Sequence, residues 1–174
     1  MWHLALAVAA GVSTPPAATA PEWVWHGRLG LLALSNAASQ RSAAFELAAG
    51  GTWYALGWAG LALSYRGALR DAGNDTVGVL TTMHRLQLGA AARAQWGQVL
   101  LGAELGVHPL LTTTRLHAGG ETDTSRVAYS LGSGLDVEAG LPIAGRWSTS
   151  LVLGAYQRYQ RVDLVLAIAV QWAP

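Results

Sequence analysis

The sequence contains no cysteine, which excludes a disulfide framework and a thiolate metal site. It contains no lysine either: the eleven basic residues are all arginine, scattered singly, and the formal net charge is +1. Such a balance creates no long-range field for nucleic acid, so a nucleic-acid partner is not expected. Charge of either sign is scarce, at 12% of residues. There is one phenylalanine, Phe45, and no phosphate-cradling loop or dinucleotide-binding glycine pattern. The glycine-rich stretch Gly132-Ser133-Gly134 falls inside a predicted strand, where it reads as interior packing or strand curvature.

What is present is apolar. Hydrophobic residues make up 52% of the chain and the mean hydropathy is +0.29, too high for an ordinary soluble domain. Twenty-one glycines and eight tryptophans suit turn-rich β structure with amphipathic aromatics. The first twenty residues, MWHLALAVAAGVSTPPAATA, carry an apolar run from Leu4 to Val12, a break at Ser13 to Pro16 and a small-residue ending, Ala18-Thr19-Ala20. That is the layout of a cleaved secretory signal, although only Trp2 and His3 precede the apolar run and no basic residue does. The expected organisation is a signal peptide over 1–20 and one domain over 21–174.

A two-residue period recurs along that domain. In Val162 to Trp172 the even positions read V, L, L, I, V, W and the odd ones D, V, A, A, Q. The same alternation marks strands over Val79 to Arg93, Gln98 to His108, Arg126 to Gly140 and Ser148 to Arg158. It is weaker over Arg28 to Ser35, Ala44 to Gly50 and Gly57 to Arg66, where Leu32 and Leu34 share the phase of Arg28. In the other strands the charges fall opposite the large apolar residues.

Eight strands follow, with connections that alternate in kind. Longer polar segments are expected at Asn36 to Arg41, Ala68 to Gly78 and Leu111 to Ser125. Tight turns are expected at Gly51 to Leu56, Ala94 to Gly97 and Leu141 to Arg146, with a short last hairpin around Gln157 to Arg161. The charge-free stretch 47–65, LAAGGTWYALGWAGLALSY, would span about 28 Å as a helix at ~1.5 Å per residue. Gly50-Gly51 and Trp53-Tyr54 near its middle make it instead two half-strands joined across a turn.

Both a soluble and a membrane barrel share this alternation; what separates them is which face fits inside. The polar face is rich in Gly, Ala and Ser and lacks the dense Lys and Glu of a water-exposed sheet. It suits a narrow lumen in which Glu46, Glu104, Asp136, Glu138 and Asp163 are offset by Arg28, Arg66, Arg85 and Arg93. Trp25, Trp53, Trp58, Trp96, Trp147 and Trp172, with Trp23, lie near strand ends on the short-turn side, where a membrane interface would want them. The expected fold is an all-β, eight-stranded antiparallel up-and-down transmembrane β-barrel.

With its final strand VDLVLAIAVQW, its signal-like leader and its LPIAGRW turn, the chain resembles the small eight-stranded outer-membrane barrels of the OmpA/OmpX kind. In that family the last strand is read by the barrel-assembly machinery and usually ends on an aromatic residue; here Ala173 and Pro174 follow Trp172. The resemblance implies an outer-membrane location, contact with outer-membrane lipids, the assembly machinery as a partner during biogenesis, a monomer, and no cofactor. On function the resemblance is nearly silent, since fold does not imply function; the expected role is structural or surface-interaction, without catalysis.

Two other readings stay open at this point. A soluble lipocalin-like barrel would hold a small hydrophobic ligand inside, and a barrel enzyme would modify lipid A. The second needs nucleophile, base and acid on one surface. His84, near Thr82 on a lipid-facing phase, has no acid on its predicted strand face, and no histidine follows His117. His117, Glu121 and Asp123 share a loop that suits a solvated tip better than a metal site. His26 and His108 read as strand-end residues.

Overall fold

The structure is a computed structural model describing residues 21–35, 41–73, 77–118, 124–158 and 161–174. The expected leader, residues 1–20, lies outside the described residues. Eight strands follow in order: β1 (Glu22–Ser35), β2 (Arg41–Tyr54), β3 (Ala59–Gly73), β4 (Val77–Trp96), β5 (Val99–Ala118), β6 (Thr124–Ala144), β7 (Trp147–Arg158) and β8 (Arg161–Trp172). Each pairs antiparallel with the next, and β8 pairs with β1 from Trp25↔Trp172 to Ala33↔Leu164, so the sheet closes into a barrel. Closure removes the free sheet edges that lipid cannot satisfy.

Alternation sets the two faces. In β8, Asp163, Val165, Ala167 and Ala169 are buried, while Val162, Leu164, Leu166, Ile168 and Val170 are exposed. The pattern holds around the barrel: Leu47 is 64% exposed and Leu105 63%, yet Arg66 is 1% and Asp163 0%. A face of this kind belongs in an apolar medium, and the soluble lipocalin-like reading, which needs the large apolar side chains inside, does not fit it. A smaller apolar cluster does lie inside, including Leu32, Leu34, Met83, Leu110 and Val152.

The short connections share one end, with the start of β1 and the finish of β8. Each contains a glycine in the left-handed region: Gly57 (φ 70), Gly97 (φ 60) and Gly145 (φ 56), a conformation that side chains resist. The stretch 47–65 is a hairpin, but its turn occupies 55–58: Gly51 to Tyr54 continue β2 and Gly57 belongs to the turn. Likewise Gln98 is a turn residue rather than the start of a strand, and Leu141 to Ala144 prolong β6.

The larger correction concerns the other end. The polar segments expected as loops at Ala68 to Gly78 and Leu111 to Ser125 are largely strand, since β3 runs to Gly73 and β5 to Ala118. Strands β4, β5 and β6 have 20, 20 and 21 residues, against 12 to 15 in the others. Ladder β5–β6 reaches Leu116↔Thr124, but β6 meets β7 only from Gly132↔Arg158 onward, and β3 meets β2 only as far as Phe45↔Leu69. The upper parts of β3 to β6 therefore form a four-stranded sheet standing above the rim. Arg115 to Ala118, with Thr124 and Ser125, are exposed on both of its faces, so no burial contrast drives the alternation that betrays a strand in sequence. Of the remaining connections, residues 36–40 and 159–160 lie outside the described residues.

Candidate functional site

The lumen is built from a conflict in register. Arg66 on β3 and Arg85 on β4 are direct cross-strand partners, a like-charge pair that a sheet tolerates only with compensation. Glu46 supplies it, one carboxylate oxygen 3.6 Å from Arg66 Nη1 and the other 3.4 Å from Arg85 Nη1. Both guanidinium groups also lie over the Tyr156 ring, 4.8 and 4.9 Å from its centroid. Its hydroxyl accepts from Arg66 and donates to Asp136. Gly134 and Gly154 flank that ring, and a Cβ at either position would collide with it.

Asp136 is the hub. It accepts from Arg28 Nη1 at 2.7 Å, from Arg66 Nη2 and from the Tyr156 hydroxyl. Arg28 reaches on to Glu104 at 3.6 Å, whose carboxylate also accepts from Gln87 Nε2 at 2.8 Å. Arg85 lies 3.7 Å from Asp163, which Arg158 approaches at 3.2 Å. Arg28, Glu46, Arg66, Arg85, Glu104, Asp136 and Asp163 are all buried, and their ion pairs link β1, β2, β3, β4, β5, β6 and β8. Buried pairs of this sort specify register more than they add stability.

Two residues expected in this network pair elsewhere. Arg93 lies at the short-turn end, where it bonds Glu22, donates to the Gly57 carbonyl at 2.6 Å and stacks over Tyr54 at 4.1 Å. Glu138 accepts from Gln171 Nε2 at 2.9 Å on both oxygens and from Ser150 Oγ at 3.2 Å, with no arginine. Sequence reasoning missed Tyr156 and Gln87 as partners although both stand on the polar phase, because neither is formally charged. It missed Glu22 because β1 begins six residues before its alternation becomes visible.

Trp23, Trp25, Trp53, Trp58, Trp96, Trp147 and Trp172 are exposed on the outer surface or turns of the short-turn end. Trp23 stacks on Trp25 with centroids 5.6 Å apart, and Trp147 packs against Trp172 across the β7–β8 pair. His84 also faces outward, but its ring meets Tyr65, whose hydroxyl lies 2.5 Å from Nδ1. The tyrosine ring lies over Gly67, the residue opposite His84. Extension of β3 puts Asp71 on this outward phase, four residues beyond Gly67 and so about 13 Å along the strand, too far to orient the imidazole. Among the described residues no three His, Asp or Glu side chains form a metal group; Glu121 and Asp123 lie outside them, while His117 is the last residue but one of β5.

On the lumen-side phase of the protruding sheet, register aligns Arg70, Thr81, Thr114 and Arg126 in one row across four strands.

The structure matches a major outer membrane protein from Thermus thermophilus with a TM-score of 0.67, covering 90% of this chain and 100% of that one at 15% identity. The fold is that of the small outer-membrane β-barrels. It is similar also to Ail, the attachment invasion locus protein of Yersinia pestis, crystallised with the heparin analogue sucrose octasulfate, at TM-score 0.63 and 9% identity over 88% of this chain and 97% of Ail. Neisserial surface protein A matches at TM-score 0.61 and 12% identity over 90% and 98%. No protein-family model and no curated protein matches the sequence, and at these identities the likeness is one of fold.

Proposed function

We propose that this chain is an outer-membrane barrel that performs no chemistry, has its lumen closed by the ion pairs around Asp136, and works through the sheet above its rim. The observation that carries the surface role is that sheet. Three neighbouring strands, β4 to β6, are lengthened together and with β3 present Arg70, Thr81, Thr114 and Arg126 in a row about 14 Å long at ~4.8 Å per strand. Two guanidinium groups joined by hydroxyls suit an anionic partner, as sulfate-bearing sucrose octasulfate is for Ail.

A conducting pore is disfavoured because eight strands enclose only the space side chains fill, and Arg66, Tyr156, Leu32, Met83 and His108 occupy it here. Catalysis on lipid is disfavoured because His84 is engaged by Tyr65 and lacks an orienting acid. The seven exposed tryptophans support the membrane reading by marking one interface.

The test combines location and binding. Cells expressing the chain are fractionated and run unboiled: extraction by detergent alone and a mobility shift on boiling are expected, and a soluble, unshifted band would sink the reading. Purified protein should bind an immobilised sulfated glycan, and Arg70→Gln with Arg126→Gln should weaken that binding. Planar bilayers should show no current steps.

A further inference from the structure

The described acidic residues on the lumen-side phase are Glu22, Glu46, Glu104, Asp136, Glu138 and Asp163, and all but Glu138 lie within salt-bridge distance of an arginine. Glu138 has only neutral donors, Gln171 and Ser150, although space has been cleared for it. Its cross-strand partner is Gly102, and a Cβ there would meet Glu138 Oε1 at 2.5 Å. The carboxylate is thus held in place without its charge being answered.

It stands where two spaces adjoin. One is a vestibule of about 720 Å³ at the short-turn end, lined by Tyr54, Trp58, Arg93, Glu138 and Trp147 among others. Arg93 contributes no free charge there, being bonded to Glu22 and stacked on Tyr54. Arg146, also on the lining, lies exposed in the β6–β7 turn, where water screens it. The other is a chamber of about 20 Å³ above it, which shares Val24, Tyr54, Glu138 and Gln171 as lining. A chamber of this size holds one water-sized group. Three carboxylates, Glu104, Asp136 and Glu138, line it against one arginine, Arg28. His26, 93% buried, also lines it, and its Nε2 has no hydrogen-bond partner.

We propose that the chamber and vestibule bind a primary ammonium group, the –NH₃⁺ in the chamber between Glu138 and His26 and the attached carbon chain in the vestibule. An ammonium matches the volume, the Glu138 carboxylate that no arginine answers and the unpartnered His26 Nε2, which accepts in the Nδ1–H tautomer, and it offers three donors. The chain has no lysine, so none of its side chains supplies the group. Two sources share this chemistry, a free aliphatic amine and the ethanolamine headgroup of a phospholipid.

The test is calorimetric titration of the full chain, refolded in an uncharged maltoside detergent, with pentane-1,5-diamine and with pentane-1,5-diol as the neutral isostere. Saturable binding of the diamine and none of the diol is expected. Glu138→Gln should weaken it at least about tenfold, the loss of one charge-assisted contact. Arg115→Gln, on the far sheet, should leave it unchanged. Absence of saturable diamine binding, or equal affinity in Glu138→Gln, overturns the proposal. Should Glu138→Gln lose its gel shift and so its fold, Leu100→Trp narrows the vestibule instead; unchanged binding there overturns the proposal equally. Titrations in phosphatidylglycerol discs, alone or partly replaced by phosphatidylethanolamine, then separate the sources. Weaker apparent diamine affinity with ethanolamine lipid assigns the site to the headgroup, and equal affinity assigns it to the free amine.

Discussion

Replacing Asp136 by asparagine keeps the shape of the side chain and removes the charge on which Arg28, Arg66 and Tyr156 converge. A hydrogen bond to a charged group contributes about 1.5–3 kcal/mol, so three of them set an upper bound well above what the variant will show. Arg28 keeps Glu104 and Arg66 keeps Glu46, each at 3.6 Å, and the amide oxygen still accepts one bond. The expected loss is therefore that of breaking one member out of a buried network, about 3–5 kcal/mol. Equilibrium unfolding in urea in phospholipid vesicles, followed by tryptophan emission and by the unboiled gel, measures it. Adding Arg28→Gln to Asp136→Asn should be less damaging than the sum of the two single changes, with a coupling of about 1–3 kcal/mol, because the second removes a cation that the first left with Glu104 as its one acid. A loss below about 1 kcal/mol, the range of solvent-exposed pairs, would refute the claim that these contacts are buried and cooperative.

Other outcomes follow from the two faces. Leu166→Arg places a charge midway along β8 on the outer face and should destabilise the barrel by about 2–4 kcal/mol in lipid, whereas a surface-like change under about 1 kcal/mol would mean that this face does not meet hydrocarbon. Tryptophan emission should be quenched more strongly by lipids brominated near the headgroup than by those brominated at the chain end; the reverse order would place the belt at the wrong depth. The double change Tyr65→Phe with His84→Leu should alter stability by less than about 1 kcal/mol, since both polar partners leave together. A larger loss would show that the pair does more than satisfy itself.

All eight strands were legible because each core segment separates lipid from lumen and so prints a two-residue period in the sequence. Strand length was not. Arg115 to Ala118, with Thr124 and Ser125, stand where neither face is enclosed, and a strand with water on both sides has the composition of a loop. The phase of the lumen charges could be read, because a formal charge rarely faces hydrocarbon. Their pairing could not, since which arginine meets which acid depends on the stagger between strands far apart in sequence. Arg93 therefore finds Glu22, and Asp136 collects Arg28 from across the barrel. The role of Gly132 and Gly134 was visible in outline, but that they make way for His108 and Tyr156 required the register.

The seam between β1 and β8 has a consequence for how the molecule comes into being. Trp25 meets Trp172 there, and Asp163 on β8 joins a charge network whose other members begin at Arg28. Those contacts are separated by nearly the whole chain, so they are available only after its last strand has been made. Until then the arginines and carboxylates of the first seven strands have no enclosed interior to share, and an open sheet would offer them to lipid. Insertion and closure are consequently a single event, and a chain shortened by its final hairpin should not lodge in a bilayer as a smaller barrel but remain outside it, available to proteases.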